Sequence, residues 1–154
     1  MRIPGFAVAF ALALGASGAS AATSEQNAVL AVVQNYDAAY NAGHGQAGAA
    51  LCAEDAVIVD DFAPHLWKGA AACADWARDL AAFDTANKVT GDTVMLGAPW
   101  HVDVDGDAAY VVVPATDANN QDGKRVVTTG SVWTFALKKT AAGWRIASWA
   151  WALH

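Results

Sequence analysis

The chain has 154 residues, with 9 Lys and Arg against 15 Asp and Glu, and a formal charge of −6 at neutral pH. That length suits one domain with a proper hydrophobic core. The acidic balance and the lack of clustered Lys and Arg exclude a partner held through its phosphate backbone, so no nucleic-acid role is expected.

The chain opens with Arg2, an apolar run from Phe6 to Leu14, and small residues ending in Ala19-Ser20-Ala21. This is the layout of a secretory signal peptide with an A-x-A cleavage site. The apolar run is too short to cross a bilayer, which takes roughly 20 residues. Residues 1–21 are therefore expected to be a leader and residues 22–154 a single domain. The protein is expected to be secreted, into a bacterial periplasm, with no stable membrane insertion once the leader is gone.

Cys52 and Cys73 are the two cysteines. An oxidising compartment permits one disulfide between them, while two buried free thiols behaving as small hydrophobes is the plainer alternative. They lack a C-x-x-C spacing, so they carry no metal or redox motif.

Thr23 with Gln26 forms a capping box, which places a helix start there. Val29, Val32, Val33, Tyr36 and Tyr40 recur at helical spacing, and Gly43 suits the left-handed residue that ends such a helix. A short second helix is expected over "GQAGAALC". "DAVIVDD" is rich in β-branched residues and predicts a strand, which Pro64 stops. "GAAACADWARDLAAFDTAN" predicts a third helix, with Cys73, Trp76, Ala77 and Leu80 on its apolar stripe.

From Lys88 onward the period becomes two, giving four or five strands. Asp105-Gly106-Asp107 and Ala142-Gly143 mark turns, and "DANNQDG" has the composition of a long polar loop. Helices first and strands last predict an α+β fold, an antiparallel curved sheet with three N-terminal helices covering one face. Alternation puts Ser131, Trp133, Phe135 and Leu137 on one side of a strand, and Trp149, Trp151 and Leu153 on one side of the last. A concave sheet lined by aromatics and closed by helices makes an apolar pocket. Tryptophans that simply fill the core are the alternative for each of these residues.

The order helix, helix, strand, helix, strands resembles the nuclear transport factor 2-like superfamily, which includes SnoaL-like polyketide cyclases and ketosteroid isomerases. "VQNYDAAYNAG" resembles the first-helix pattern V-Q-x-Y-x-x-x-x-N-A-G of the bacterial steroid isomerases. "EDAVIVDDFAPHLWKG" resembles their D-A-x-V-x-D segment, and "GWRIASWAW" resembles the terminal strand of SnoaL-like members. The resemblance covers nearly all of Ser24–His154. It implies a cone-shaped sheet, an oxyanion-stabilising role for Tyr36 and a proton-shuttling role for Asp60. Ketosteroid isomerase chemistry pairs such a carboxylate base with an oxyanion hole. At the position of those isomerases' second acid this sequence has Ser131, a weaker donor, which leaves that hole incomplete.

Strand parity turns Asp60 the same way as Ala56 and Ile58, and Asp61 the other way. His65 follows closely enough to return over the same mouth, and His101 is a further candidate from a later strand. Trp67, Trp76, His101, Ser131, Trp133 and Phe135 are the expected pocket residues. Asp60 and Asp61 capping a turn, His65 in solvent and Trp67 plugging the underside of the third helix are the structural alternatives. Asp60, Asp61, His65 and His101 are the residues a metal would use, but no ligand spacing recurs, so neither metal nor cofactor is expected.

Three functions follow as expectations. The first is an exported pocket protein that binds a small apolar or aromatic molecule. The second is an isomerase, dehydratase or cyclase with Asp60 moving the proton and Tyr36 polarising oxygen. The third is an interaction module, a homodimer formed through the convex sheet face.

Overall fold

In the computed structural model, which describes residues 22–43 and 45–153, helix α1 (Ser24–Asn41) begins where the capping box places it. The Gln26 amide donates to Thr23 Oγ1 at 3.2 Å, and the Thr23 amide donates to Gln26 Oε1 at 2.8 Å. Val29, Val33 and Tyr36 form the buried stripe, with Val32 and Tyr40 partly buried beside it. Gly43 follows at φ +70° and donates to the Tyr40 carbonyl, closing the helix through a left-handed residue. The expected leader, residues 1–21, lies outside the described residues.

The chain continues as α2 (Gly45–Ala49), β1 (Cys52–Val59), β2 (Leu66–Lys68), α3 (Ala72–Asn87), β3 (Val89–Leu96), β4 (His101–Asp105), β5 (Ala108–Gln121), β6 (Lys124–Thr140) and β7 (Gly143–Ala152). The short β2 has no sequence signal of its own, and α3 starts at Ala72 rather than at Gly69. The strands make one curved, open sheet in the order β2-β1-β7-β6-β5-β3, with β4 also paired to β5.

Two expectations need correction. The sheet is mixed rather than antiparallel, because β1 runs parallel to β7. These strands come from opposite ends of the domain and are joined by every element between them, so no hairpin fixes their relative direction. The segment "DANNQDG" is mostly strand. β5 runs on to Gln121, paired with β6 on one side and β3 on the other, and only Asp122-Gly123 turns. Pairing on both edges overrides the low strand propensity of Asp and Asn.

Bulges bend the sheet and decide which side chains face inward. Between the pairs Ala115↔Ser131 and Asp117↔Thr128, β6 holds one extra residue, and Gly130 takes up the shift at φ +85°. A second shift lies between Ala136↔Ser148 and Leu137↔Ile146, with Ala147 as the extra residue of β7. Trp144 and Ile146 are therefore buried on the same side as Trp149, although their numbers differ in parity.

The helices cover the inner face of the sheet. Val29, Val33, Tyr36 and Trp76 meet Ile58, Val111, Phe135 and Trp149 there, all 5% exposed or less. Asn41 pins the end of α1 to β3, since its side chain accepts from the Val94 amide at 2.7 Å and donates to the Val94 carbonyl at 2.8 Å. Cys52 and Cys73 are joined in a disulfide, with their Cα atoms 6.6 Å apart, which decides between the two readings of the cysteines. The bridge ties the start of β1 to the first turn of α3.

Candidate functional site

Asp60 stands one residue past the end of β1 and keeps the inward direction of Ala56 and Ile58, both fully buried. Its Oδ2 accepts from the Trp76 indole N–H of α3 at 2.7 Å, and its Oδ1 accepts from the Asp61 amide at 2.8 Å. The turn that follows folds back: the Asp60 amide donates to the His65 carbonyl at 3.3 Å, and the His65 amide to the Phe62 carbonyl at 2.9 Å. His65 Nδ1 lies 3.1 Å from the Asp60 carbonyl oxygen. His65 holds a φ of 68°, a left-handed conformation that costs a non-glycine residue about 1–2 kcal/mol and that clusters at functional sites.

This turn, α3 and the inner face of β5, β6 and β7 enclose a cavity of about 570 Å³. Its walls are aromatic: Trp76, Trp133, Trp149 and Trp151 all line it. Trp149 meets Trp76 edge to face at 4.9 Å between centroids and Trp133 edge to face at 5.4 Å, which fixes the rings against one another. Asp60, Asp61 and His65 line the same cavity; β1 ends at Val59, so strand parity does not turn Asp61 the other way as expected.

Burial pushes the Asp60 carboxyl up to about 7, with the adjacent Asp61 charge adding to it; the Trp76 and Asp61 N–H groups pull the other way. A carboxyl poised near neutrality, facing a cavity, takes or gives a proton at working pH.

Tyr36 is placed differently from the sequence expectation. It is 2% exposed and lies on the stripe that α1 buries, outside the lining of this cavity. Its hydroxyl accepts from the Trp149 indole N–H at 3.0 Å, and burial raises its pKa above the ordinary phenol value. Trp149, not Tyr36, meets the cavity.

Four other expected pocket residues also lie outside the lining. Ser131 is fully buried opposite Ala115, and its hydroxyl has no partner among the described residues. Phe135 is 1% exposed, packed edge-on to the Tyr36 ring. Trp67 lies under α3, where its indole N–H donates to Asp79 at 2.8 Å and its ring packs on Phe62. His101 pairs with Val112 on the outer side of β4 and is exposed beside Tyr110, because strand alternation turns positions 101, 103 and 105 away from the core. It cannot join Asp60, Asp61 and His65. Among the described residues no three His, Cys, Asp or Glu side chains are arranged to hold a metal ion.

The SnoaL-like domain profile matches residues 21–150. The chain belongs to the SnoaL-like family. No curated protein matches it. Among solved structures, this SnoaL-like chain is similar to an NTF2-like protein with a cystatin-like fold from Novosphingobium aromaticivorans. The TM-score is 0.69 and the identity 24%, over 84% of this chain and 81% of that one. It is also similar to a ketosteroid isomerase-like protein from Erwinia carotovora atroseptica, with a TM-score of 0.68 and 21% identity over 84% and 96% of the two chains. An NTF2-like superfamily protein from Salmonella enterica serovar Typhimurium gives a TM-score of 0.69 at 16% identity, over 83% and 89%. At these identities the likeness is one of fold.

The SnoaL-like cavity also holds polar residues that sequence reasoning misses: Tyr40, Asp84, Asp92, Asp117 and Asn119. Asp117, Asn119 and Gln121 recur every second residue, which is the inward face of a strand, but the composition of their segment predicts a loop. Burial raises Asp117 to about 7, with Asp92 adding to it, and raises Asp84 to about 6. Tyr40 donates to Asp92.

Proposed function

We propose that this SnoaL-like domain is an exported protein that binds a small apolar or aromatic molecule in the cavity beside Asp60. The observation that carries the reading is the cavity itself, about 570 Å³ and walled by four indole rings. A volume of this order suits a drug-sized ligand, and aromatic walls with a few polar groups are the usual composition of such sites. The Cys52–Cys73 bridge supports export, because disulfides persist in oxidising compartments and are rare in reducing ones.

Tryptophan fluorescence tests this. Titration with aromatic and polyketide-like ketones is expected to shift the emission saturably, and Asp60→Asn is expected to change the affinity of those ligands by roughly threefold to tenfold through lost contact with the carboxyl. No saturable change with any aromatic or apolar ligand overturns the pocket reading.

A second reading rests on Asp60 alone. A carboxyl raised to about 7 that lines an aromatic cavity is a usable base for removing a proton next to a carbonyl. It supports an isomerase, dehydratase or cyclase. With Tyr36 outside this cavity and bordering a second one of about 390 Å³, the donor to the developing oxyanion would have to come from another lining group, of which the Trp133 indole N–H is unpartnered among the described residues. Deuterium exchange into a bound ketone, followed by NMR, separates this from plain binding: exchange lost in Asp60→Asn supports catalysis, and binding without exchange supports the carrier reading.

A further inference from the structure

Away from Asp60, the cavity is lined by Tyr40 from α1, Asp84 from α3, Asp92 from β3, Asp117 and Asn119 from β5, and Thr128 from β6. Its internal bonds leave acceptors over. Tyr40 donates to Asp92 Oδ2, and Asn119 Nδ2 donates to Asp117 Oδ2 at 3.1 Å. Asn119 Oδ1 is buried with no hydrogen-bond partner among the described residues, and Asn119 as a whole is only 9% exposed; Asp92 Oδ1 is buried without a fixed donor, but the Asp92 and Asp117 carboxyls lie within hydrogen-bond reach of each other when one is protonated. Buried acceptors are almost always paired, so the Asn119 oxygen, beside two carboxyls that can share only one proton, calls for a donor from outside the chain.

Charge points the same way. Among the described residues the lining has carboxyl groups at Asp60 and Asp61 on one side and at Asp84, Asp92 and Asp117 on the other, and contains no lysine or arginine; its one histidine, His65, sits beside Asp60. The rings of Tyr40, Trp76 and Trp133 stand next to this set, with Tyr40 5.8 Å from Trp76 and 6.3 Å from Trp133 between centroids. Aromatic faces attract a cation, and an ammonium group brings N–H donors as well as charge. A bare metal ion fits less well, because no three ligating side chains converge among the described residues.

From the orphaned Asn119 acceptor, the unbalanced carboxyls and the flanking rings, we infer that this part of the cavity takes the protonated amine of a ligand whose apolar or aromatic body lies against Trp76, Trp133 and Trp151. The inference rests on the pocket reading above and names its ligand class.

Isothermal titration calorimetry with a matched pair of probes, 3-phenylpropylamine and 3-phenylpropanol, tests it on the chain from residue 22 with its disulfide intact. The amine is expected to bind about tenfold more tightly than the alcohol, and Asp117→Asn and Asp92→Asn are each expected to remove most of that advantage while leaving the alcohol unchanged. Asp103→Asn, an exposed change on the outer side of β4, removes the same charge and is expected to leave the amine advantage intact. The comparison of the two probes on the unaltered protein stands even if a cavity variant fails to fold. Equal affinities for the two probes, or an advantage that Asp103→Asn removes as well as Asp117→Asn does, overturn the amine assignment and leave the pocket reading standing. Binding of neither probe, together with no response to any aromatic ketone, overturns both.

Discussion

Replacing Cys52 and Cys73 together by serine lowers the unfolding free energy by about 3 kcal/mol and the melting temperature by roughly 10 °C. The cysteines are 21 residues apart, and a closed loop of that size removes about this much conformational freedom from the unfolded chain. The loop also has a functional content. It contains all of β1 beyond Cys52, the Asp60–His65 turn and β2, and its far end is the first turn of α3. Trp76, which donates to Asp60, lies one helical turn beyond Cys73. The bridge therefore fixes both partners of the Asp60–Trp76 bond to one covalent frame. Loss of the bridge is expected to weaken ligand binding as well as stability, because the turn at the cavity mouth gains freedom that binding must then remove. Denaturant unfolding of the oxidised protein and the double variant checks the first part, and the fluorescence titration checks the second. Equal unfolding midpoints would mean that the packing of Ile58, Trp67 and Trp76 alone holds this segment.

The fold is largely legible in the sequence because its signals are local. A capping box at Thr23 and Gln26, β-branched runs and a change of period after Lys88 each act within a few residues, and each agrees with the tertiary arrangement. The direction of β1 is not legible, since it depends on a pairing between opposite ends of the domain. The site is legible only in part for a related reason. Asp60 keeps the register with Ile58 that parity along β1 gives it and lines the cavity, and Trp133 lies inward as alternation has it. Alternation alone cannot tell which inward residues meet the cavity and which lie beneath it. Ser131 and Phe135 share the side of Trp133, yet both are sealed in the core. Depth is set by where the helices stop covering the sheet, and no single segment encodes that. The acidic residues escape a sequence reading because Asp117 and Asn119 look like loop residues until the bulge at Gly130 is seen to bring Thr128 opposite Asp117.

The same carboxyls make stability fall as pH rises, in the range where most domains change little. In the unfolded chain an aspartate loses its proton near pH 4. In the folded protein burial holds the Asp60 proton to about 7. Between those values the native state binds more protons than the unfolded state, so unfolding free energy declines with rising pH; the contribution is fully present below about pH 4 and lost above about pH 7. For Asp60 the effect is on the order of 2–4 kcal/mol, the upper figure being the whole shift and the lower allowing for water in the open cavity. Asp117, raised to about 7, and Asp37 and Asp84, each raised to about 6, act in the same direction. Opposing them are Glu25, held down by its bonds from Trp144 and Lys139, Asp79, held down by its bonds from Trp67 and Arg78, and Asp55, held down by its bond from Lys138. Those three weaken the fold only when acid protonates them, below about pH 4. Maximum stability is therefore expected near pH 5. Urea unfolding midpoints between pH 4.5 and 8.5 measure the slope directly. Asp60→Asn is expected to be more stable than the unaltered protein at pH 8 and to flatten the profile, since the amide cannot ionise; its one oxygen keeps the bond from Trp76 and gives up the bond from the Asp61 amide, a smaller loss than the ionisation cost it removes. Trp76→Phe is expected to steepen it, because removing the indole N–H takes away a bond that favours the ionised carboxylate. A midpoint that is constant or rises from pH 5 to pH 8 would mean that water reaches Asp60 freely in the folded protein, and the proton-moving role would go with it.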